Sequence, residues 1–295
     1  MQAACESSPS APRPARRWQI RGQTLDLGRL PLLMGVVNVT PDSFSDGGRW
    51  LEPAAAVDHA LALAAAGAEI LDLGGESTRP GSQPVDVREE LRRVMPVLER
   101  LAGQTQVPVS LDTCKAAVAR EAIQAGVQII NDISALTHDP AMLDLVLCSG
   151  CGVCAMHMQG TPQTMQQAPA YENVVDEVLQ YLAARRDCLL RAGVASQRIA
   201  LDPGIGFGKS LDHNRQLLRN MARFHALGCP VLVGPSRKRF IGQVLGDAQA
   251  DRTPGTIGVC LALALQGVQI LRVHDVAAVR QALQLFDASA GLDSR

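Results

Sequence analysis

Aromatic side chains are scarce in this sequence of 295 residues, and neither sign of charge predominates. Phe, Trp and Tyr together make up 3% of the chain, and the formal net charge at pH 7 is −1. A protein that binds nucleic acid or a membrane surface through charge would carry an excess of basic residues. Binding of single strands would also require rings for base stacking. The composition therefore disfavours both classes of function.

The N-terminus lacks the apolar segment of a secretory signal. Residues 1–17 are rich in Ala, Ser, Pro and Arg, and this composition favours a disordered tail over a transit peptide. The chain has eight cysteines. Without a secretory signal, we expect them to be reduced thiols of a cytoplasmic protein.

Three cysteines follow the spacing Cys-x-x-Cys-x-x-Cys, which also occurs in metal and iron–sulfur sites. They are Cys148, Cys151 and Cys154. The surrounding pattern puts the first at a helix end, the second in a turn and the third in a buried strand, so their thiols should point in different directions. We therefore expect core residues here and not a metal site.

Apolar, β-branched runs alternate with Ala- and Leu-rich stretches after a short hairpin at 18–28. The predicted strands are 32–39, 69–74, 107–112, 128–133, 152–157, 199–202, 230–235 and 269–274. The predicted helices are 54–66, 86–101, 115–125, 140–148, 172–192, 211–226, 254–266 and 276–286. This alternation predicts right-handed βαβ units around a parallel sheet.

Eight such units in about 260 residues are typical of a single α/β domain, the (β/α)8 TIM barrel. We assign 1–17 to the tail and 18–295 to the barrel. An open, doubly wound sheet is the alternative, but it would bind its ligand at one switch point, whereas here polar residues follow nearly every strand. The uncharged run 253–271 is interrupted by proline and glycines, so we expect a helix and a strand there and not a membrane span.

The stretch 199–210, IALDPGIGFGKS, resembles a phosphate-binding loop but fits neither standard template. A P-loop would need glycine where Pro203 stands, and a dinucleotide fingerprint would need it at Lys209. What remains is an apolar strand that delivers Asp202 to its C-terminal end, followed by a flexible loop. We expect Lys209 to be a solvated residue at the start of the next helix.

Polar side chains stand at the C-terminal ends of the other strands as well, and in a barrel all of them meet at one rim. They are Asn38, the loop 76–81, Asp112, Asn131, His157, Ser236 with Lys238, and Arg272 with His274. A single Asp after a strand is more often a helix cap. We assign that role to Asp275, and internal pairing to Asp72 and Asp132.

The chemistry of this rim suits a heterocycle with adjacent N–H groups, which a carboxylate can bind through two hydrogen bonds. Asp112, Asp202 and Asn131 offer such partners, and Lys238 is suited to a ring carbonyl. The flat guanidinium of Arg272 can stack on a ring and reach a phosphate. Asn38 and His274 are suited to a Mg²⁺–phosphate group. The polar loops 38–48 and 74–84 are either lids or simply solvated.

Eight segments in order together resemble the dihydropteroate synthases, a pterin-binding family of the folate pathway. They are MGVVNVTPDSFSDGG, DLGGESTRPG, SLDTCK, IINDISAL, MHMQGTP, LDPGIGFGKS, GPSRKRFIG and LRVHDV. The resemblance implies a TIM barrel that condenses 6-hydroxymethyl-7,8-dihydropterin diphosphate with p-aminobenzoate, with Mg²⁺ as cofactor. The products are 7,8-dihydropteroate and pyrophosphate.

The resemblance also implies a role for each matching residue. Asp112, Asn131, Met156, Asp202, Lys238 and Arg272 would bind the pterin. Asn38, Arg272 and His274 would bind the diphosphate, and Asn38 would also contact the metal. Phe44, Thr78, Arg79, Pro80, Phe207 and Ser236 would bind p-aminobenzoate, where sulfonamides compete in this family. Arg272, His274, Lys238 and Asp112 would be the catalytic residues.

The sequence departs from the family's usual DTSK motif at Cys114, where serine is usual. That position lies just past the aspartate, so we expect little effect. The family is commonly dimeric, and the apolar helix 254–266 is a candidate interface.

Two other functions could use the same kind of barrel. Methyltetrahydrofolate-dependent methyltransferases with a corrinoid partner share the barrel and the pterin pocket, but they would not need ESTRPG or the SRK and RVHD segments. A non-catalytic pterin-binding barrel is the other alternative. It would not need Asn38, Arg79 or Lys238, and all three are present.

Overall fold

The computed structural model describes residues 14–40 and 53–292. Its strands are β1 (Arg17–Ile20), β2 (Gln23–Asp26), β3 (Leu32–Asn38), β4 (Ile70–Gly74), β5 (Val109–Asp112), β6 (Ile129–Asp132), β7 (Gly152–Met156), β8 (Ile199–Asp202), β9 (Leu232–Val233) and β10 (Ile270–Val273). Its α-helices are α1 (Pro53–Ala65), α2 (Val87–Leu101), α3 (Ala116–Gln124), α4 (Ala141–Ser149), α5 (Val174–Arg191), α6 (Leu211–Arg219), α7 (Arg239–Leu245), α8 (Thr253–Leu265) and α9 (Val276–Ala288).

Strands β3 to β10 form a closed parallel barrel. Their order around the sheet is β8-β7-β6-β5-β4-β3-β10-β9. A bridge between Leu201 and Val231 closes the ring, and the amide of Leu201 donates to the carbonyl of Pro230 at 2.9 Å. The predicted TIM barrel is confirmed, and the open doubly wound alternative is wrong because the sheet has no free edge between β8 and β9.

The helical layer differs from prediction in two places. The helix expected at 211–226 ends at Arg219, and a 3₁₀ helix, Met221–Leu227, follows it. Asn220 separates the two with its side chain turned back onto the carbonyl of Gln216. The seven-residue helix α7 was not predicted, because it is too short to show a clear helical period.

Alternation along the strands gives the barrel two different faces. Outward residues such as Leu71 and Leu73 pack against the helices in the larger core, whereas inward residues such as Met34 and Ile70 fill the N-terminal half of the barrel. Farther along, the inward positions of the same strands become polar. Ile70 on β4, for example, is followed two residues later by Asp72, which is fully buried.

The β1–β2 hairpin closes the N-terminal end of the barrel, which leaves the opposite end for chemistry. Trp18 is fully buried among inward residues, and its indole Nε1 donates to the carbonyl of Arg198 at 3.1 Å. The Arg198 guanidinium donates in turn to the carbonyls of Val146 and Cys151. Gly152 is required at the start of β7, since a Cβ there would lie 2.8 Å from Ile20.

The cysteine spacing does not assemble a metal site. Cys148 is exposed near the end of α4, whereas Cys151 and Cys154 are buried. Within the described ranges, no group of three His, Cys, Asp or Glu side chains is placed to hold a metal ion. Burial raises the pKa of the Cys154 thiol well above its ordinary value, as expected for a core residue.

The hairpin begins close to where the sequence predicts it, and the described apolar helices are short. Residues 1–13 of the expected tail lie outside the described residues, and β1 begins at Arg17, one residue before the predicted hairpin. Searched over the described residues, the helices include none that is long and apolar enough to cross a membrane.

Replacing Trp18 with Ala is expected to lower the free energy of unfolding by about 3–5 kcal/mol, because it empties the floor of the barrel and orphans the Arg198 carbonyl. Urea unfolding measures this change. Arg17→Ala is the matched control, since Arg17 on the same strand is largely exposed and its loss should leave the midpoint nearly unchanged. Equal midpoints for the two variants would contradict the assignment of the hairpin as the floor.

Candidate active site

The C-terminal mouth of the barrel is lined by charged side chains that the strands direct inward. Arg272 on β10 is at the centre. Its Nε donates to Asp72 Oδ2 at 2.6 Å, and its Nη2 donates to Asp112 Oδ2 at 3.0 Å. Asn131 on β6 donates to the same Asp72 oxygen at 3.1 Å. The four side chains therefore form one hydrogen-bonded group across the barrel.

Burial and the charges of their ion-pair partners shift the pKa values of Asp112 and Arg272 in opposite directions. Burial raises the pKa of Asp112 to about 7, although the Arg272 guanidinium opposes the shift. Burial alone would lower the pKa of Arg272, but Asp72 and Asp112 raise it above its ordinary value. Arg272 is therefore a fixed cation, while Asp112 is poised between its two protonation states near neutral pH.

Asp202 lies at the end of β8, 6% exposed. Its Oδ1 accepts a hydrogen bond from the Gly204 amide at 2.7 Å. Burial raises the pKa of this carboxyl to about 6, against that amide and the charges of Lys238, Lys209 and Arg272. The mouth of the barrel thus holds two acids, Asp112 and Asp202, beside several cations.

Lys238 is aimed at the mouth by a strained turn. The preceding Arg237 has φ +55°, in the left-handed region that non-glycine residues rarely adopt. Asp275 holds it there, accepting from its Nε at 3.1 Å and its Nη2 at 2.6 Å. The Lys238 ammonium lies 3.9 Å from the centroid of the Phe207 ring, a cation–π contact. Burial and the nearby Arg272 lower the pKa of Lys238 to about 8.

Ser236 holds the ring of His274 in place. The backbone N–H of His274 donates to Ser236 Oγ at 3.2 Å, and the same oxygen is hydrogen-bonded to His274 Nδ1 at 2.9 Å. The hydroxyl can donate to Nδ1 or accept a second bond from it, so either neutral tautomer of the ring fits this contact. Burial, reinforced by Arg272 and other nearby cations, lowers the pKa of His274 to about 3, so the ring is neutral.

The glycines of the stretch 203–210 serve close packing. Gly204, Gly206 and Gly208 all have positive φ. A Cβ at Gly204 would collide with the carbonyl of His157, and one at Gly208 would lie 2.5 Å from the carbonyl of Gln159. Only glycine allows this loop to turn so tightly against the chain that follows β7.

The expectation that Lys209 is a solvated helix-start residue is wrong. The tight turn directs its side chain inward, and it is 2% exposed. Its Nζ lies 3.0 Å from His157 Nδ1 and 2.8 Å from the Phe207 carbonyl. Burial is the main reason that its pKa is lowered, to about 7.

The loop after β4 carries the residues expected at the aminobenzoate site. Thr78 is half-buried, and Arg79 and Pro80 are exposed. The loop is fastened at both ends. The Gly81 amide donates to the Pro162 carbonyl at 3.0 Å, and Glu76 pairs with Lys115.

Lys115 also donates to the fully buried Glu90 at 2.6 Å. This Glu76–Lys115–Glu90 group was not predicted from the sequence. One signal could have found both Lys115 and Lys209. The chain has only three lysines, at 115, 209 and 238, against 25 arginines, and all three follow barrel strands.

Other predicted residues lie where the pattern put them. Asn38 ends β3, half-buried, and Met156 ends β7 with 3% exposure. Asp72 and Asp132 are internal pairing groups, as expected; Asp132 accepts from Ser134 and Leu136. The first loop falls mostly outside the described residues, and Phe44 with it.

The prediction that Asp275 caps the last helix is correct in position but not in the hydrogen bond. Asp275 is the residue before α9, but its side chain makes no capping hydrogen bond. It is occupied instead by an ion pair with Arg237.

Comparison with known proteins identifies the family. The family model described as "Pterin binding enzyme" matches residues 34–274. The dihydropteroate synthase of Escherichia coli K12 is 46% identical over 269 residues, which cover 91% of this chain and 95% of that protein.

Two solved structures share the fold. The Yersinia pestis dihydropteroate synthase with a sulfonamide drug is 43% identical, with a TM-score of 0.87, over 93% of this chain and 99% of that one. The Xanthomonas albilineans dihydropteroate synthase with 4-aminobenzoic acid is 47% identical, with a TM-score of 0.86, over 94% and 98%. The chain therefore belongs to the pterin-binding enzymes and, among them, to the dihydropteroate synthases.

Proposed function

We propose that this enzyme joins 6-hydroxymethyl-7,8-dihydropterin diphosphate to p-aminobenzoate, releasing pyrophosphate and forming 7,8-dihydropteroate. The observation that carries the proposal is the pair of acids inside the barrel mouth, the buried Asp202 and the partly buried Asp112, beside Arg272 and Lys238. The names of the relatives and the 4-aminobenzoic acid in the Xanthomonas albilineans structure support it.

The pterin enters between the two acids. Asp202 in its ionised form accepts two adjacent N–H groups of the pterin ring, while Asp112 and Asn131 bond the remaining polar edge and Met156 provides apolar contact. Lys238 bonds the ring carbonyl. Water is excluded at this depth, so each charge-assisted bond is stronger than it would be at the surface.

Departure of the diphosphate begins the reaction. The C–O bond to the exocyclic carbon breaks, and the cation left behind is delocalised into the dihydropterin ring. Arg272 provides a permanent positive charge for the leaving oxygens, and His274 donates a hydrogen bond from Nε2. A neutral imidazole suits this role in the tautomer that carries its proton on Nε2, in which the Ser236 hydroxyl donates to Nδ1, because it donates to the leaving oxygens without requiring a proton transfer.

We further propose Mg²⁺ as the cofactor. Asn38 is the one described residue assigned to it, and its amide oxygen is a hard ligand of the kind that Mg²⁺ takes. A site with few protein ligands fits an ion held mainly by water and substrate phosphate oxygens. When bound, the ion would neutralise charge on the leaving diphosphate.

The p-aminobenzoate approaches from the side of the loop that follows β4. Its carboxylate is matched to the exposed Arg79, with Thr78 and Pro80 beside it, and its ring to Phe207. Ser236 and Phe44 are proposed as further contacts. The arylamine is neutral at pH 7, so its lone pair attacks the cationic carbon without a general base, and its proton leaves afterward.

We also propose that the enzyme is a cytoplasmic homodimer. Large apolar side chains are exposed on the helices that follow β9 and β10: Val244 and Leu245 on α7, Leu265 on α8 and Leu285 on α9. A second copy that covered this face would remove them from water. The free thiols among the described cysteines suit a reducing compartment.

With both substrates and Mg²⁺ present, we expect stoichiometric release of pyrophosphate, and we expect chelation of the metal to suppress it. A coupled phosphate assay after pyrophosphatase measures the release. Omission of p-aminobenzoate is the control. No release from the complete mixture would refute the proposed function, and pterin binding without release would favour a non-catalytic barrel.

Asp202→Asn and Arg79→Gln are expected to separate the two substrates. Losing the carboxylate removes the two-point anchor, so the affinity for the pterin diphosphate should fall by about 100-fold, from roughly 1.5–3 kcal/mol for a charged hydrogen-bonded group. Arg79→Gln should instead raise the KM for p-aminobenzoate. Calorimetry with the pterin and steady-state kinetics with each substrate make the distinction. Unchanged pterin affinity in Asp202→Asn would show that the anchor is misassigned.

The kcat/KM for the pterin substrate is expected to fall as the pH is lowered through the range 7 to 6. In the free enzyme the pKa of Asp112 is about 7 and that of Asp202 about 6. Below these values each carboxyl is protonated and cannot accept two N–H groups, so activity is present above the range and lost below it. A pH–rate profile of kcat/KM reports free-enzyme groups. A flat profile from pH 8 to 5 would contradict this.

A further inference from the structure

Lysine is used in this chain only around the barrel mouth. Of 28 basic residues, 25 are arginines, and arginines supply the cations of the surface ion pairs, as in Arg92 with Glu89 and Arg223 with Asp176. The three lysines follow β5, β8 and β9. An ammonium offers a compact charge with three tetrahedrally arranged donors, which a flat guanidinium does not.

Lys209 uses all three of those donors on neutral acceptors. Its Nζ lies 3.0 Å from His157 Nδ1, 3.4 Å from the His157 carbonyl and 2.8 Å from the Phe207 carbonyl. Within the described residues it forms no ion pair with a carboxylate. An ammonium that is 2% exposed and has no carboxylate in contact is costly, and this cost lowers its pKa to about 7, although the charge of the nearby Asp202 opposes the shift. A role in the site should explain its presence.

His157 is built to receive this ammonium. Burial, reinforced by the charge of Lys209, lowers the pKa of His157 to about 3, so the ring is neutral and Nδ1 is an acceptor. The ring of Tyr181 meets it edge-on with the centroids 4.8 Å apart. His157 is therefore held in one orientation by packing, and it presents a fixed acceptor to the loop.

The same contacts determine the path of the loop 204–208. Tyr171 donates to the Gly208 carbonyl at 2.8 Å, and the Gly206 amide donates to Asn214 at 2.7 Å. Lys209 adds the bond to the Phe207 carbonyl and ties it to His157. The outcome is that the Phe207 ring lies against the ammonium of Lys238, at the place where the aminobenzoate ring would enter.

On the basis of the synthase function proposed above, we propose that Lys209 is a positioning residue for p-aminobenzoate. Its ammonium fastens the glycine loop to His157 and so holds the Phe207 ring beside Lys238. Lys209 touches neither substrate, and it acts through the backbone of Phe207. The glycines and the lysine of this stretch thus act together. The glycines allow the tight turn, and the hydrogen bonds of the lysine hold the turn against His157.

Lys209→Met tests this role, since methionine keeps most of the apolar stem and removes the donors. The expected result is a rise of about tenfold in the KM for p-aminobenzoate, the effect of roughly one charged hydrogen bond. The kcat and the KM for the pterin diphosphate, measured at pH 8 so that Asp202 stays ionised without the nearby Lys209 charge, should change by less than about threefold. Steady-state kinetics with each substrate varied in turn measures the split.

Ser210→Ala is the matched control. Ser210 is the next residue and caps α6 by accepting from the His213 amide at 3.2 Å, so its loss destabilises the same region. Among the described residues, no hydrogen bond joins the Ser210 side chain to Phe207, and we expect the KM for p-aminobenzoate to stay within about twofold of the parent enzyme. A rise equal to that of Lys209→Met would show that general loosening is responsible and would overturn the proposal.

A pair of substitutions at His157 tests the contact from its other side and applies even if Lys209→Met does not fold. His157→Asn keeps an acceptor near the position of Nδ1, whereas His157→Leu removes it. We expect the leucine variant to raise the KM for p-aminobenzoate as Lys209→Met does, and the asparagine variant to restore most of the loss. Equal behaviour of the two variants would overturn the proposal.

Failure of this proposal is distinguishable from failure of the proposed function. An unmodified enzyme that released no pyrophosphate would refute the synthase activity itself. An active enzyme whose folded Lys209→Met and His157→Leu variants kept the parent KM for p-aminobenzoate would refute only the positioning role. Circular dichroism and thermal melting establish that the variants compared are folded.

Discussion

The charge balance inside the barrel mouth is the constraint on which the site depends. Arg272 is held between Asp72 and Asp112, and a largely buried cation of this kind depends on correctly placed carboxyl partners. Removing one partner would leave its charge less well compensated in a medium that solvates it poorly. The polar residues of β4, β5, β6 and β10 therefore form one electrostatic unit, in which no member can be replaced independently.

The opposite end of the barrel is apolar, and this division separates stability from chemistry. Trp18 and Ile20 of the hairpin pack against inward residues of the strands. The N-terminal half of the barrel interior therefore stabilises the fold by burying apolar surface, with little cost from burying polar groups. The upper half contains groups whose pKa values burial moves toward neutrality. The apolar floor stabilises the folded barrel through residues that take no part in the site. The fold can therefore tolerate the cost of burying titratable groups at the mouth.

Much of this architecture could be read from the sequence, because apolar β-branched runs and strand–helix spacing are local signals. The eight strands, the rim residues and the pairing roles of Asp72 and Asp132 all follow from them. Long-range placement could not be read in the same way. Lys209 looked like a solvated residue at the start of a helix because no substrate contact was assigned to it, yet three positive-φ glycines turn it inward. Likewise, Asp275 could not be distinguished from a cap before Arg237 was known to occupy it.

The confinement of lysine to the barrel mouth has a practical consequence for spectroscopy and chemical modification. Apart from the amino terminus, every primary amine of this protein belongs to Lys115, Lys209 or Lys238. Isotope labelling of lysine alone would yield side-chain signals from the site and from nowhere else. Reductive methylation or an amine-reactive probe would report on the accessibility of the same region, unobscured by the solvated lysines that dominate such experiments in most proteins.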